Sequence, residues 1–463
     1  MTEYINGAGS VTRFGVFLFP KDQKMTTDDF QGFMQYFQGG PATELKRRMD
    51  WYVGDHPVLH EVDKGGTRPD NRVVVNLPYS NVDTFNGYFI GKNPQITLDG
   101  DTQNKTLQTW NNSNSFQDKL AEISKQVDIY GRAFAFVYQD EQSKTRVTYS
   151  DPETSFMIYD DTVEQNPLAF VRYSLDEHMQ AYGRIYFADH SSAIVSGSMV
   201  SSDDEINVYG AVPAVEFISN DERQGLNDQI FGIADQLDHV ISQKANQVEY
   251  FDNAYLKILG LKLPEDEDGN PIANLDGNQI IYSEDEAAAD AVVDFVSKPD
   301  GDTMQENLIN RLLDQNYNVT GVVNFNDQRI SGNITGKALE RLLQRMSNRA
   351  VFKRTKFTEG LRDLYKIVFS AKTLKGIGED DWQGLAFKFY ENLPADYADE
   401  ANTAKALEGI VSKETQLKVL EDIVDDPKAE IKRMQEEQAD SIQNATQAAG
   451  ATTDAEQAPE AGD

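Results

Sequence analysis

Four stretches of this chain have residue types and spacing that could do chemistry, and each fails on a specific count. Ser331-Gly332-Asn333-Ile334-Thr335-Gly336-Lys337-Ala338 has the outline of a phosphate-binding loop. Such a loop needs one more residue between its glycines, and a Ser or Thr where Ala338 stands to bind magnesium, so the stretch reads as a loop ending in a helix start. Glu265, Asp266, Glu267 and Asp268 crowd their carboxylates beside Gly269. Calcium-loop spacing would put an Asp at Pro264 and a closing Glu at Leu275, so a solvated turn that a partner protein can touch is the better reading. His56 and His60 have the spacing of a helical zinc pair, but Pro57 between them spoils the helix. Asp160 and Asp161 suggest an acid and a base, yet neighbours on a strand point to opposite faces, so a turn role is expected. The expectation is no catalytic residue, no metal and no cofactor. A rival reading, an α+β hydrolase using paired carboxylates, needs an acid and a base converging on one pocket, and no such constellation stands out.

Charge recognition is the chemistry that remains. Arg341, Arg345, Arg349 and Lys353 recur every fourth residue and place a basic stripe along a helix. The stripe would contact DNA or an acidic neighbour subunit, against the plainer reading of a solvated face with local ion pairs. With 76 acidic and 43 basic residues the formal charge is −33, which favours pairing between subunits over a grip on nucleic acid. Acidity also serves solubility.

The elements that must position these residues come in a readable order. A chain of 463 residues, 39% hydrophobic with 20 Tyr and 24 Phe, has enough material for several domains with a sizeable core. It has no cysteine, which excludes disulfides, thiolate metal sites and cysteine nucleophiles. No apolar run approaches the roughly 18 residues of a membrane span, and the first residues lack a basic leader pattern, so neither a membrane segment nor export is expected. Residues 1 to 25 carry weak signals and read as partly mobile. Thr26 caps a helix carrying Phe30, Phe33, Met34 and Phe37, and Pro41 opens another that runs through Trp51. A β-rich Val73-Val74-Val75 run precedes a mixed apolar stretch to Gly91. Strands are expected at 133–138, 146–149, 156–159, 169–173, 184–187 and 215–218, giving an α+β domain with an antiparallel sheet.

After Gly225 the pattern becomes helical. Leu226, Ile230, Ile233, Leu237 and Ile241 lie close to one stripe of a helix about 40 Å long, which needs partner helices to cover it. Short strands at 256–263, 279–282 and 291–296 lead to a second helix at 303–318. Residues 320 to 335 form a loop by composition, and a long helix runs from Gly336 to about Lys372. Trp382 to Tyr390 reads as a strand, and 396–433 as two or three short helices, one capped by Ser412. From about 442 the acidic, Ala- and Gln-rich tail reads as disordered, with Ala-rich helix extension as the alternative.

Taken in order, Asn71-Arg72-Val73-Val74-Val75-Asn76-Leu77-Pro78, Gly87-Tyr88-Phe89-Ile90-Gly91-Lys92, Tyr130-Gly131-Arg132-Ala133, Asn220-Asp221-Glu222-Arg223, the run Asn246 to Leu256, Asn392-Leu393-Pro394 and Val424-Asp425-Asp426-Pro427 carry a resemblance. From about residue 50 to 440 the chain resembles the portal proteins of tailed bacteriophages, the family that includes the portal of phage SPP1. The resemblance implies a ring, twelve subunits in the virion, at one capsid vertex, with synthesis in the host bacterial cytoplasm. It implies a portal fold with an α/β wing at 1–225 and 336–395, a helical stem at 226–253 and 301–319, a small α/β clip at 254–300, a tunnel loop at 320–335 and a helical crown at 396–441, ahead of the tail at 442–463. It implies further that the terminase motor docks on the clip during packaging, through a surface that includes Glu265 to Asp268. Head-completion or adaptor proteins follow there, capsid and scaffolding proteins contact the ring, and double-stranded DNA passes through it. In the tunnel loop Asn324, Asn326, Gln328 and Arg329 would face DNA, while Phe325 and Ile330 anchor the loop. An acidic wall that mostly repels phosphate would let DNA slide, although screening confines that repulsion to about 8 Å. Another phage ring or scaffold component without a tunnel is the remaining alternative.

Overall fold

Three short strands precede the first helix in the computed structural model: β1 (Thr2–Tyr4), β2 (Ser10–Thr12) and β3 (Phe17–Phe19). They are part of the sheet core, with Phe17 and Phe19 fully buried, so the weak signals before residue 25 concealed regular structure. Helix α1 (Thr27–Gly39) starts at a reciprocal cap. Asp29 N donates to Thr26 Oγ1 at 3.2 Å, and Thr26 N donates to the Asp29 carboxylate at 2.9 Å. Its Phe30, Phe33, Met34 and Phe37 are buried, as their spacing requires. Helix α2 (Pro41–Val53) opens on proline and stops at Gly54, whose φ of 88° suits a residue without a side chain.

Helix α3 (Leu77–Ile90), strand β4 (Gln95–Leu98) and helices α4 (Asp101–Ser113) and α5 (Phe116–Tyr130) follow. Then come β5 (Arg132–Gln139), β6 (Thr145–Ser150), β7 (Ser155–Asp160), β8 (Pro167–Leu175), β9 (Ala181–Tyr186), β10 (His190–Val195), β11 (Ser198–Ile206) and β12 (Ala214–Ile218). One sheet has the order β1-β2-β3-β7-β8-β9-β10-β11 and a second β12-β5-β6. All pairs are antiparallel except β3 with β7, which is parallel and joins the N-terminal strands to the rest. The α+β class stands, with more strands than the turn signals suggested.

Helix α6 (Phe231–Asp252) leads to the three-stranded sheet of β13 (Leu256–Leu259), β14 (Ile280–Ser283) and β15 (Val292–Phe295), in which β13 is central. Helices α7 (Asp302–Thr320) and α8 (Gly336–Ser370) follow, then β16 (Leu385–Lys388), which pairs with β4 in a separate two-stranded sheet. Helix α8 packs Leu343, Met346, Ala350, Phe357, Leu361 and Leu364 into the main core. Among the described helices none is long and apolar enough to cross a membrane. The described residues are 2–5, 7–62, 69–252, 256–259, 280–283, 292–295, 302–324, 336–392, 397–420, 423–424 and 427–455.

Met1–Asn392 form one unit and Leu393–Asp463 a second. The second contains α9 (Tyr397–Ala406), α10 (Lys413–Leu417) and α11 (Pro427–Ala455). Ser412 caps α10 by accepting from Thr415 N, and Gln416 Nε2 donates to Ala404 O at 2.8 Å to tie α10 to α9. Helix α11 continues to Ala455, beyond the point near 442 where composition predicted loss of order. Ala, Gln and Glu are strong helix formers, and the Ala-rich extension held as the alternative is what forms.

The Val73-Val74-Val75 run forms no strand. Its backbone lies extended along α6, and helix side chains take up its N–H groups. Val75 N donates to Asp238 Oδ1 at 2.7 Å, Val73 N to Ser242 Oγ at 2.9 Å, and Asn71 N to Asn246 Oδ1. Every fourth helical residue advances about 6 Å and every second extended residue about 6.6 Å, so the two ladders stay in register.

Candidate functional site

The sequence-predicted loop begins where α7 ends, and three sets of contacts along α7 hold that helix in place. Leu237 and Val240 of α6 meet Ile309 of α7 over Leu77, with Ile241, Leu312 and Leu313 packed around them. Lys244 pairs with Glu306 and Gln305 Nε2 donates to Gln247 at 3.2 Å farther along the same pair of helices. Asn316, fully buried, donates to Asn81 Oδ1 at 3.2 Å and accepts from Asn81 Nδ2 at 2.9 Å. Asn81 also donates to Asn227 Oδ1 at 3.0 Å, and Asn227 Nδ2 donates to Pro78 O at 3.0 Å. This buried amide cluster ties α7 to α3 and to the entry of α6.

The helix then closes on itself. Thr320 Oγ1 donates to Asn316 O at 2.8 Å, and Gly321 N donates to Tyr317 O at 3.0 Å with Gly321 at φ 72°. That left-handed step is the helix stop that glycine favours. Two arginines of α8 satisfy carbonyls left over at this end. Arg345 Nη2 donates to Asn318 O at 2.7 Å and Nη1 to Asn318 Oδ1 at 3.3 Å, while Arg349 Nη1 donates to Thr320 O. Cations at a helix C-terminus are favourable for the same reason. Asn324, half-buried, is the last residue described before the gap. Asn326, Gln328, Arg329, Phe325 and Ile330 lie outside the described residues, as do Glu265, Asp266, Glu267 and Asp268 and the Ser331-Gly332 stretch.

The basic stripe does not stay on one face. Arg341 and Arg345 are exposed and Arg349 is half-buried, but Lys353 is 1% exposed, which removes it from any surface shared with DNA or a neighbour. Four residues turn a helix by 40° more than a full circle, so from 341 to 353 the stripe drifts about 120° round α8. Lys353 Nζ sits 2.7 Å from Asp128 Oδ2, 2.8 Å from Ser124 Oγ and 3.1 Å from Ser124 O, over the rings of Phe85, Phe89 and Phe357. Burial pushes the Lys353 ammonium down, against the opposing charge of Asp128, and burial likewise pushes the Asp128 carboxyl up. Arg349 and Asp128 share a cavity of about 210 Å³ whose rim carries Phe352, 73% exposed.

A second buried cluster joins β12 to the turn after it. Arg223 holds Glu216 at both carboxylate oxygens, at 3.0 and 2.8 Å, Tyr159 OH donates to Glu216 Oε2, and Arg132 lies 3.6 Å away. Burial alone would raise Glu216, but the charges of Arg223 and Arg132 and these hydrogen bonds outweigh it and hold the carboxyl at about 2. Burial lowers Arg132 to about 10 in spite of Glu216.

Other sequence candidates take structural places. His56 is buried with Nδ1 2.5 Å from Asp238 and Nε2 3.0 Å from Trp51 O, while His60 points to Asp55, so the two do not converge. Asp160 accepts from Thr162 Oγ1 at 2.5 Å and from Asn166 N at 3.0 Å, which makes it the holder of the 160–166 turn. Sequence reasoning missed Asn81, Asn227, Asn316 and Asp128. At Asn81 and Asn316 the signal was a polar residue one turn from apolar ones, Leu77 and Phe85 about the first and Leu312 and Leu313 about the second; Asn227 and Asp128 had no such signal.

A family model for the phage portal protein, SPP1 Gp6-like, matches residues 41–444. The chain belongs to this family. The portal protein of Bacillus phage SPP1 is 24% identical over 439 residues, covering 87% of this chain and 82% of that protein. Portal proteins are structural components rather than enzymes, and in this chain the buried amide cluster braces α7, the helix that leads to the loop, against α3 and the entry of α6.

Proposed function

We propose that this portal chain assembles as a closed ring, twelve subunits in the virion, that forms the DNA conduit at one capsid vertex. The observation that carries the reading, beside family membership, is the bare side of α7. Ile309 and Asn316 are buried against α3 and α6, yet Met304 is 74%, Leu308 43% and Val319 40% exposed, with exposed Arg311 and half-buried Gln315 between them. Residues 304, 308, 311 and 315 have the four-three-four spacing of a helix seam that wants another helix. In a lone subunit this surface stays in water at about 25 cal/mol per Å². A neighbouring copy supplies the partner.

In this reading residues 1–225 and 336–395 are the wing, α6 and α7 the stem, 254–300 the clip, and 396–441 the crown. The clip receives the terminase motor during packaging and head-completion proteins afterwards, with Glu265 to Asp268 on its outer surface. Capsid and scaffolding proteins meet the ring elsewhere. The loop at 320–335 reaches the tunnel, with Asn324, Asn326, Gln328 and Arg329 toward DNA and Phe325 and Ile330 anchoring it. Arg345 and Arg349 brace the loop's root, leaving Arg341 as the freest cation of the stripe for a neighbouring subunit.

Leu308→Asp and Val319→Asp place charge in the seam and are expected to reduce the assembly to single or few-subunit species by native mass spectrometry, with far-UV circular dichroism unchanged. Rings as abundant as wild type would contradict the seam. Arg329→Glu is expected to impair packaging or DNA retention, and an unaffected phage titre would count against the loop's role.

A further inference from the structure

Strand β12 has a free edge, and a groove of about 690 Å³ runs along it. Val137 N donates to Pro213 O, and the register pairs Glu216 with Phe134 and Ile218 with Arg132. Peptide groups alternate in such a ladder, so those of residues 213, 215 and 217 face β5 while those of Glu216 and Ile218 face away. Among the described residues no strand pairs with that side. The Glu216 side chain is only 4% exposed although the residue as a whole is partly exposed, so what meets solvent there is its main chain. Residues from both faces of the sheet line the same groove, Tyr159 and Asn166 from one and Gly360 and Ile367 of α8 from the other, which sets it along the edge of the strand.

The groove is acidic beyond its own compensation. Six carboxylates line it against three cations, and of those Arg223 is committed to Glu216 and Lys356 to Asp221 at 2.7 Å, while Lys366, over the Trp382 ring at 5.6 Å, acts on Asp363 without a salt bridge to it. Glu164, Glu359, Asp363 and Asp380 line it without an ion pair to any described residue, and Glu359 and Asp363 stand one turn apart on α8.

From the open edge and the uncompensated carboxylates we infer that this groove binds an extended, basic segment of a partner protein, which adds a strand to β12 and sets Lys or Arg side chains against Glu359 and Asp363. Main-chain pairing supplies affinity and the alternating side chains supply selectivity. Acidic residues outnumber basic ones in this chain, 76 to 43, so a Lys- or Arg-rich strand is more readily supplied by a partner than by a second copy.

The probe is a fluorescein-labelled Lys-Val-Lys-Val-Lys-Val-Lys peptide, read by fluorescence anisotropy against the full chain, beside the same peptide N-methylated at alternate residues. The charges of the two are equal, but only the first can pair with a strand edge. The inference predicts salt-sensitive binding of the plain peptide, at least tenfold weaker binding of the methylated one, and at least tenfold weaker plain-peptide binding to Glu359→Lys/Asp363→Lys. Both substituted positions are exposed, so the variant should fold. Equal binding of the two peptides to the unaltered chain would overturn strand addition, unchanged binding to the variant would overturn the site, and no binding at millimolar peptide would overturn both.

Discussion

Replacing Lys353 with Met removes the buried ammonium while keeping the side-chain volume, so the loss it causes is electrostatic rather than a cavity. Lys353 Nζ makes three short contacts, to Asp128 and twice to Ser124, at 1% exposure. Breaking one partner of a buried ion pair costs about 3–5 kcal/mol, because the other charge is left desolvated. Asp128 can escape part of that by taking up a proton. Burial already holds its carboxyl above the ordinary carboxylate range, and without Lys353 nothing but the more distant Arg349 opposes that rise. A carboxyl whose folded pKa lies above its unfolded one contributes stability at low pH that is lost as pH rises through the folded value. The deficit of Lys353→Met is therefore expected to be about 3–5 kcal/mol at pH 7.5 and smaller at pH 5. The double variant Lys353→Met/Asp128→Leu should recover most of it, since a packed apolar pair often matches a buried ionic one. Urea unfolding followed by tryptophan fluorescence reads the right unit, because Trp51, Trp110 and Trp382 all lie within Met1–Asn392. Protein concentration should be held fixed and low so that subunit association does not add to the transition. A loss under about 1 kcal/mol at pH 7.5, with no change between pH 7.5 and 5, would refute the assignment of Lys353–Asp128 as a buried brace.

Three further outcomes are expected. Asn316→Leu strands the amide of Asn81 and should cost about 1–3 kcal/mol in the same urea assay, and phage carrying it should package less DNA because the loop root is loosened. Glu216 has a folded pKa of about 2 against an ordinary 4.5, so its contribution, about 3 kcal/mol, is present above pH 4.5 and lost as pH falls toward 2. Glu216→Gln should forfeit at least that much at pH 7 and flatten the acid limb of a stability-versus-pH curve over the same window. Gly131→Ala meets backbone it has no room to move, since its Cβ would lie 2.0 Å from Arg223 O at a φ of 82°. It should lower stability by about 3 kcal/mol or more, read as lost soluble yield.

Much of the fold was legible because apolar residues repeat with the period of their element. The stripe Phe30, Phe33, Met34 and Phe37 gives α1, the alternation around Phe134 and Phe136 gives β5, and the Leu343, Met346, Ala350, Phe357 series gives α8. Strands β1 to β3 were not legible, being three residues each and dependent on the long-range parallel partner β7. The valines at 73–75 have high strand propensity, but α6 offered their N–H groups side-chain acceptors at matching intervals, and the contact with the helix won. For the basic stripe, four-residue spacing grouped cations that the fold sends to different surroundings. A helix of 3.6 residues per turn carries such a series off one face, so Arg341 stays in solvent, Arg345 and Arg349 cap α7, and Lys353 enters the core. The buried amide cluster left little trace in sequence because an isolated Asn says nothing of which distant Asn it will meet.

Native mass spectrometry of the purified chain, with symmetry counted from electron-microscope class averages, tests the central claim most directly. A conduit requires a closed ring of about twelve or thirteen subunits around an open centre. Monomers or dimers across a range of salt, persisting on co-expression with capsid proteins, would contradict it.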